Sequence, residues 1–248
     1  MIPHTLHDLS FVERFYTFTA IDSTNIFAKN LSVFPRSGIF VIQSDRQHKG
    51  KGRQGNTFFS DVKGGLWVSL VVPVDDIGTH FTNNRALSIA ICDSLRQFFP
   101  EAPVKIKWPN DIYWNVKKIC GILLENIPGR NDMLIIGFGL NVNLKDLDFP
   151  SDLLPIATSY RIETGRIISL GDLLRCILLR FRSNQEQPAQ AVHEKYTGLL
   201  YMKGEPADID GEKGIFRTVG IDGSLQLETP EGIKHIRSGT LRFTGRNA

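Results

Sequence analysis

A fifteen-residue stretch at positions 44–58, here called the basic loop, constrains this chain more than any other segment. It contains four lysine or arginine residues and three glycines. Apolar runs at 38–42 and 66–72 flank it, and both runs predict buried β-strands. Glycine lets a backbone approach a ligand closely and cationic side chains supply charge, so such a loop can wrap an anion. A solvated basic loop is an equally good interpretation of its composition.

The glycine spacing Gly50-x-Gly52-x-x-Gly55 is close to a dinucleotide-binding fingerprint, but the surrounding sequence excludes that site. The fingerprint needs a tight turn that opens directly into a helix. Here the glycines lead towards Gly64 and a second predicted strand. A P-loop is excluded as well, because Asp45 stands where the first glycine of that motif belongs.

Local patterns predict further elements around the basic loop. The cluster at 22–25 is typical of a helix N-cap, and its hydroxyls could either cap the helix or bind a polar ligand. A helix is predicted at 83–99, followed by a hairpin whose strands, 112–114 and 119–124, are joined across 115–118. A strand at 133–140 carries Gly137 and Gly139 at alternate positions, which indicates that a group packs closely against its backbone.

The sequence pattern changes from helical to β near residue 200. Amphipathic patterns predict helices at 170–181 and 189–200, which would cover the sheet. Beyond Tyr201, regularly spaced glycines separate short apolar runs, a pattern that predicts a β-barrel of about five strands. We therefore divide the chain into residues 1–200 and 201–248. The segment at 208–211 is expected to be a turn, because the later glutamate of a calcium loop is absent.

Bulk properties exclude several classes of protein. The formal charge of +3 over 248 residues gives no general argument for nucleic-acid binding. No apolar run is long enough for a membrane span, and residues 1–10 show no secretory pattern. The three cysteines are far apart, as expected of reduced thiols in a cytoplasmic protein. No two of the scattered histidines have ligand spacing, so no protein-built metal site is expected.

Three segments considered together resemble biotin–protein ligases. They are Asp22-Ser23-Thr24-Asn25, then Gly50-Lys51-Gly52-Arg53-Gln54-Gly55, then Lys107-Trp108-Pro109-Asn110-Asp111 with the run from Lys118 to Glu125. Residues 137–143 resemble the next motif of that family. The resemblance implies an α+β fold, with a mixed-sheet catalytic domain, flanking helices and a small C-terminal SH3-like β-barrel.

The resemblance also implies the reaction. Members join biotin to ATP, which gives biotinyl-5′-AMP and pyrophosphate, and then pass biotin to one lysine of a biotin carboxyl carrier domain. Magnesium would be carried with ATP, because it prefers hard oxygen ligands. A carboxylate must approach an α-phosphate although both are anionic, and cations that neutralise both make the approach feasible.

The residues that match the family motifs receive roles by this resemblance. Lys118 and Arg53 are the expected catalytic residues, at the junction of carboxylate and phosphate. The biotin-binding residues would be Ser23, Thr24, Asn25, Gln47, Lys51, Gly52, Arg53 and Lys118. The nucleotide-binding residues would be Lys51, Arg53, Phe58, Asn110, Asp111 and Asn141, although Asn110 and Asp111 are equally typical of a turn.

The sequence also bears on binding to DNA and to a second copy of the chain. Regulatory members of the family carry an N-terminal helix-turn-helix domain, but residues 1–14 are too few for one, so no operator binding is expected. A homodimer paired through an exposed sheet edge is compatible with the sequence. The other functions considered are a lipoate ligase or octanoyltransferase of similar fold, and a nucleic-acid-binding module that uses the basic loop with Trp67, Trp108 or Trp114.

Overall fold

The computed structural model describes residues 9–75 and 80–244, which form two β-sheets and five α-helices. The first sheet has seven strands in the order β1-β2-β3-β7-β6-β5-β4. Only the β1–β2 pair in this sheet is parallel, so the predicted mixed sheet is confirmed. The strand bounds are β1 Val12–Phe18, β2 Ile39–Ser44, β3 Gly65–Pro73, β4 Val104–Lys107, β5 Asp111–Trp114, β6 Lys117–Ile127 and β7 Arg130–Asn141.

Both faces of this sheet are covered, which explains why its central strands have uninterrupted apolar runs. In β2, Ile39 and Val41 join one core while Phe40 and Ile42 join another on the opposite face. The helices that cover the sheet are α1 Thr24–Lys29, α2 His80–Phe98, α3 Tyr160–Thr164, α4 Leu170–Gln185 and α5 Ala189–Gly198. Helix α2 packs on β4, β5 and β6 and also on α4 and α5, whereas α1 contacts β2, β3 and β7.

The second sheet contains five antiparallel strands in the order β11-β10-β9-β8-β12. Its strands are β8 Pro206–Ile209, β9 Glu212–Val219, β10 Leu225–Thr229, β11 Gly232–Ile236 and β12 Leu241–Phe243. Within the described residues its outer strands β11 and β12 do not pair, so the sheet is open there and a closed barrel is not observed. The turn predicted at 208–211 is confirmed only for Asp210 and Gly211, because Asp208 and Ile209 still belong to β8. The Gly211 amide donates to the Asp208 carboxylate at 2.9 Å.

Three local expectations differ from the structure. Ser23 occupies the N-cap position of α1, but its side chain makes no capping hydrogen bond. Lys117 and Lys118 lie in β6 rather than in the hairpin turn, because the turn closes at Asn115 and Val116, where Asn115 takes a left-handed φ of 52°. Helix α3 was not predicted, since a five-residue helix is too short to show a 3.6-residue pattern. The expectation for residues 1–14 falls largely outside the described residues.

Candidate functional site

The largest concentration of predicted site residues surrounds one cavity with a volume of about 230 Å³. Its walls come from the start of α1, the basic loop, the turn between β4 and β5, and strands β6 and β7. Residues 239–241, which lead into β12 of the second sheet, complete the lining. Eleven of the predicted site residues line it: Ser23, Thr24, Asn25, Gln47, Lys51, Gly52, Arg53, Phe58, Asn110, Asp111 and Lys118.

One end of the cavity is a buried polar cluster at the start of α1. The Gln47 side-chain oxygen accepts from the Thr24 amide at 2.8 Å, which orients the Gln47 amide group. The Thr24 hydroxyl lies 3.0 Å from the same oxygen. The Gln47 side-chain nitrogen donates to the Ser60 hydroxyl at 3.2 Å. These groups are nearly inaccessible to bulk water, so a ligand here meets prearranged hydrogen-bonding groups rather than mobile ones.

Two serines and a glutamate that the sequence did not single out support this cluster. Ser69 is fully buried and contacts the Thr24 hydroxyl at 2.7 Å, while Ser60 holds Gln47. Glu125 accepts from the Asn25 side-chain nitrogen at 2.8 Å. The available signal was a polar residue inside or directly after an apolar run: Ser69 interrupts β3, and Glu125 follows the apolar run of β6.

Glycines form the floor of the cavity because side chains lie directly against the backbone. A Cβ atom on Gly137 would lie 2.2 Å from the Asn25 side-chain oxygen, and one on Gly139 would lie 2.3 Å from the Phe58 ring. The ring also approaches Gly121 and meets Trp67 edge-on, with centroids 6.1 Å apart. The close approach predicted from the alternating glycines of β7 is thus confirmed.

The opposite end of the cavity is cationic. The Lys118 ammonium lies 2.7 Å from the Asp111 carboxylate and 5.7 Å from the centre of the Phe58 ring. Among the described lining residues, Asp111 supplies the only carboxylate. Both side chains keep substantial solvent exposure, so the pair can separate when another anion arrives.

Arg53 reaches the same region from the basic loop. Its guanidinium donates to the Asn110 side-chain oxygen at 3.3 Å, and the Asn110 amide nitrogen donates in turn to the Ile122 carbonyl. The Gly52 amide donates to the Asn56 carbonyl at 2.7 Å, which closes the loop on itself. Asn110 therefore has the predicted turn-forming role and, in addition, holds the loop arginine over the cavity.

Lys107 is a third cation at this end. Its ammonium donates to the Tyr113 hydroxyl at 3.3 Å and lies 5.0 Å from that ring. Burial lowers the pKa of Lys107 below its ordinary value. It was part of the motif at 107–111 but was not predicted as a site residue, because alternation in β4 alone does not show which face borders a cavity.

Asn141 is the one predicted site residue that does not line the cavity. Its side chain is buried, and its amide nitrogen donates to the Thr158 carbonyl at 2.9 Å. This hydrogen bond fixes the segment before α3 against the end of β7. In this conformation Asn141 has a structural role, and a direct contact with a ligand would require it to release Thr158.

The second sheet is attached to the cavity wall through buried polar contacts. Arg85 of α2 is almost fully buried and donates to the carbonyls of Gly220, at 3.0 Å, and Ile221. The Trp108 indole donates to the Gly223 carbonyl at 3.0 Å. One loop of the second sheet is thus held both by α2 and by the turn that carries Asn110, which places residues 239–241 at the cavity.

Among residues 9–75 and 80–244, no three His, Cys, Asp or Glu side chains are grouped so that they could hold a metal ion. No helix in the described part of the chain is both long and apolar enough to cross a membrane. Trp67, Trp108 and Trp114 are all buried, so none offers a free ring for base stacking.

Comparison with known proteins gives matches that cover most of the chain. The sequence profile of the biotin/lipoate A/B protein ligase family matches residues 18–143. The bifunctional ligase/repressor BirA of Bacillus subtilis is 33% identical over 82% of this chain, and the match covers 66% of that protein, just under two thirds of its length. A biotin–[acetyl-CoA-carboxylase] ligase of Paracoccus denitrificans is 27% identical over 90% of this chain and 98% of that protein.

Solved structures give the same relationship. The biotin protein ligase of Aquifex aeolicus in complex with biotin and ATP superposes with a TM-score of 0.82 and 28% identity. That comparison covers 94% of this chain and 100% of the Aquifex chain. Both sheets therefore have counterparts in a structure that holds the two small molecules.

Proposed function

Because this chain belongs to the biotin/lipoate A/B protein ligase family, we propose that it is an ATP-dependent biotin–protein ligase. It activates biotin as biotinyl-5′-AMP, with release of pyrophosphate. It then transfers the biotinyl group to a lysine of a biotin carboxyl carrier domain, a partner suggested by the relative that is named a biotin–[acetyl-CoA-carboxylase] ligase. We place this activity in the cytoplasm, with the carrier domain as its protein partner.

The observation that carries this proposal is the contrast inside a single cavity. Buried hydrogen-bonding groups surround the start of α1. Three cations, Lys118, Arg53 and Lys107, lie around the β4–β5 turn and β5, and Lys51 of the basic loop also lines the cavity. A polar ring with an anionic tail fits this order. The carboxylate would then meet the α-phosphate between the cations, which stabilise the charge that develops in the transition state.

Individual roles follow from these positions. We assign Ser23, Thr24, Asn25 and Gln47 to the binding of the ureido ring of biotin. The backbone at Lys51 and Gly52 would lie along the biotin molecule. Lys118 and Arg53 act at the carboxylate–phosphate junction, where Lys118 must leave Asp111 to contact ligand oxygens. Once Lys118 has moved away, the Asp111 carboxylate is a suitable ligand for the magnesium ion carried with ATP, directly or through a water molecule.

The nucleotide half is assigned to residues around Phe58. Its ring would lie against the adenine, while Asn110 and Asp111 border the phosphates. Asn141 would support the wall behind the nucleotide through Thr158. Reordering of the basic loop over the adenylate would exclude water from a reactive mixed anhydride.

We further propose that the second sheet is the SH3-like domain of the family, with the domain boundary near 200/201. The five antiparallel strands and the contribution of residues 239–241 to the cavity support this assignment. In this arrangement the second domain forms part of the wall at the nucleotide end of the site.

A pyrophosphate-release assay tests the function directly. Protein, biotin and Mg-ATP should give pyrophosphate in an amount that depends on biotin, and an added apo carrier domain should become biotinylated on one lysine. Absence of biotin-dependent pyrophosphate would refute the proposal. Gel shift with operator-like DNA in the presence of both substrates tests the expected lack of sequence-specific DNA binding.

The family profile also includes lipoate ligases, so lipoate or octanoate transfer is the second candidate. The same assay with lipoate or octanoate in place of biotin distinguishes the two. The buried amide and hydroxyl groups of Thr24, Asn25 and Gln47 favour a ligand ring that carries N–H and C=O groups. A dithiolane ring or a simple alkyl chain would leave the remaining hydrogen-bonding capacity of those groups unused.

A further inference from the structure

A continuous chain of hydrogen-bonding groups leads from the buried end of the cavity to the protein surface. The Ser69 hydroxyl lies 2.7 Å from the Thr24 hydroxyl and 2.5 Å from the Asn25 side-chain oxygen. The Asn25 nitrogen donates to Glu125 at 2.8 Å, and the Lys29 ammonium contacts the other Glu125 oxygen at 2.6 Å. Thr24, Ser69 and Asn25 are buried, whereas Glu125 and Lys29 are partly exposed.

Glu125 determines which way the Asn25 amide faces. Burial raises the pKa of this carboxyl, but hydrogen bonds from Lys29 and Asn25 outweigh that effect and hold the pKa below its ordinary value. An ionised carboxylate only accepts hydrogen bonds, so Asn25 must turn its nitrogen towards Glu125. The Asn25 oxygen then faces Ser69, where Gly137 leaves it just enough space.

The hydroxyl protons in this chain are fewer than the contacts that need them. Oxygen–oxygen contacts join Gln47 to Thr24, Thr24 to Ser69, and Ser69 to Asn25. Two hydroxyl groups supply one proton each for these three contacts. With Asn25 fixed as an acceptor, the Ser69 proton is used there, and the single Thr24 hydroxyl proton can serve only one of its two contacts, with Gln47 or with Ser69. This end of the cavity therefore has a surplus of acceptors.

We propose that Glu125 and Ser69 are positioning residues that fix this acceptor polarity and thereby select a ligand that presents N–H donors to Thr24. Neither residue lines the cavity, so both act through Thr24 and Asn25. The inference rests on the proposed function, in which the ureido ring of biotin supplies the N–H groups. A purely structural role for the Lys29–Glu125 pair would affect folding but not the choice of ligand.

The first test is Glu125→Gln, which keeps the shape but can offer either an oxygen or an amide group to Asn25. Asn25 is then free to reverse, and a reversed amide presents a donor to Ser69. We expect the KM for biotin to rise about tenfold, the effect of losing roughly one hydrogen bond to the ligand. The KM for ATP and kcat for pyrophosphate release should change less than about twofold. Glu228→Gln, which alters an exposed ion pair with Arg217 on the second sheet, is the matched control.

A double-mutant cycle separates a relay from independent contacts. Ser69→Ala should also raise the KM for biotin, and the double variant should be little worse than either single variant, because both changes break the same chain. A biotin analogue methylated on the ureido nitrogen lacks the donor, so the wild-type preference for biotin over this analogue should shrink in Glu125→Gln. Thermal melting of each variant confirms that it is folded.

The outcomes are distinct. An unchanged KM for biotin in Glu125→Gln, additive effects in the cycle, or equal losses for biotin and ATP would each overturn the inference. If the wild-type protein itself gives no biotin-dependent pyrophosphate, the proposed function fails instead. Lys29→Met provides a second variant that leaves the Asn25–Glu125 contact in place, and we expect it to have a smaller effect than Glu125→Gln.

Discussion

The polar side chains at the two ends of the cavity differ in burial and in the partners that hold them. At the α1 end, Thr24, Asn25 and Gln47 are almost completely buried and are held by other protein groups. At the cationic end, the side chains of Lys118 and Asp111 are 32% and 25% exposed, and they neutralise one another. The first end is arranged before a ligand arrives, whereas the second is occupied by an internal anion that a ligand anion must replace.

This difference indicates a division of labour. Prearranged buried groups discriminate between ligands, because an unmatched ligand leaves their remaining hydrogen-bonding capacity unsatisfied, at a cost of about 1–3 kcal/mol per group. Exchangeable ion pairs near solvent contribute little to ground-state binding. They can, however, stabilise charge that exists only in the transition state. Substitutions at the cationic end should therefore affect turnover, and those at the buried end should affect biotin binding.

The largest effect is expected for Lys118→Ala. Loss of a cation used mainly in the transition state should cost about 2–4 kcal/mol, as removal of an oxyanion donor does. Pyrophosphate release should fall accordingly, while the ATP affinity measured by titration calorimetry changes much less. Lys117→Ala is the matched control, because its ammonium binds the Leu154 carbonyl at 2.8 Å. Normal turnover of Lys118→Ala would remove the predicted asymmetry between the ends.

Arg53→Ala should come next, with a loss of about 1.5–3 kcal/mol for a charge-assisted contact. This change keeps the glycines of the basic loop but removes its planar cation, so biotinyl-AMP should bind less tightly and escape into solution. Labelling of lysines on a bystander protein measures that escape. Arg46→Ala, at an exposed position in the same loop, is the control. Labelling confined to the carrier domain would contradict this role of Arg53.

At the buried end, Gly137→Ala tests the prearrangement. Its new Cβ would lie 2.2 Å from the Asn25 oxygen, so Asn25 must move. Overpacking of this kind costs about 1–3 kcal/mol. Calorimetry should show weaker biotin binding with ATP affinity nearly unchanged. In Gly198→Ala the added Cβ meets no atom within 4 Å, so biotin binding should stay normal. Equal losses for both ligands in Gly137→Ala would show that the two ends are not independent.

The smallest effect is expected for Tyr113→Phe, which removes the hydroxyl that holds the Lys107 ammonium. A loss of about 0.5–1.5 kcal/mol corresponds to a single hydrogen bond. The kcat for pyrophosphate release should fall a few-fold and the KM for biotin should stay constant. Tyr16→Phe is the control, because its hydroxyl contacts only the exposed Arg14 at 3.4 Å. A change confined to biotin would assign Lys107 to the other end of the cavity.

The main elements of the fold followed from residue patterns. The apolar runs of β2, β3 and β7 and the long periodic helices α2 and α4 were predicted within a few residues. The turn between β5 and β6 was less predictable, because a left-handed Asn115 allowed a tighter connection than the spacing suggested. The open order of the second sheet was also beyond prediction, since periodic glycines mark turns but do not determine which strands pair.

The site was predicted through its motifs, and the cavity brings all but one of the predicted residues together. Asn141 is the exception, because its amide was satisfied by a backbone carbonyl that only the folded chain brings near. Two other residues, Lys107 and Arg85, were not predicted to contribute to the site or its walls. A lysine or an arginine in a sequence carries no sign of the burial that gives it a specific partner.

The sequence by itself determined the identities and order of the groups that line the cavity: the glycines that permit close approach, the cations of the basic loop, and the polar start of α1. These depend on local backbone and side-chain chemistry, which neighbouring residues reveal. Only the tertiary structure decided which groups meet. The Asn25–Glu125 contact joins residues separated by 100 positions, and Ser69 lies 44 positions from Asn25. Hydrogen-bond polarity in such a chain depends on the register of paired strands, so it arises only when the sheet assembles.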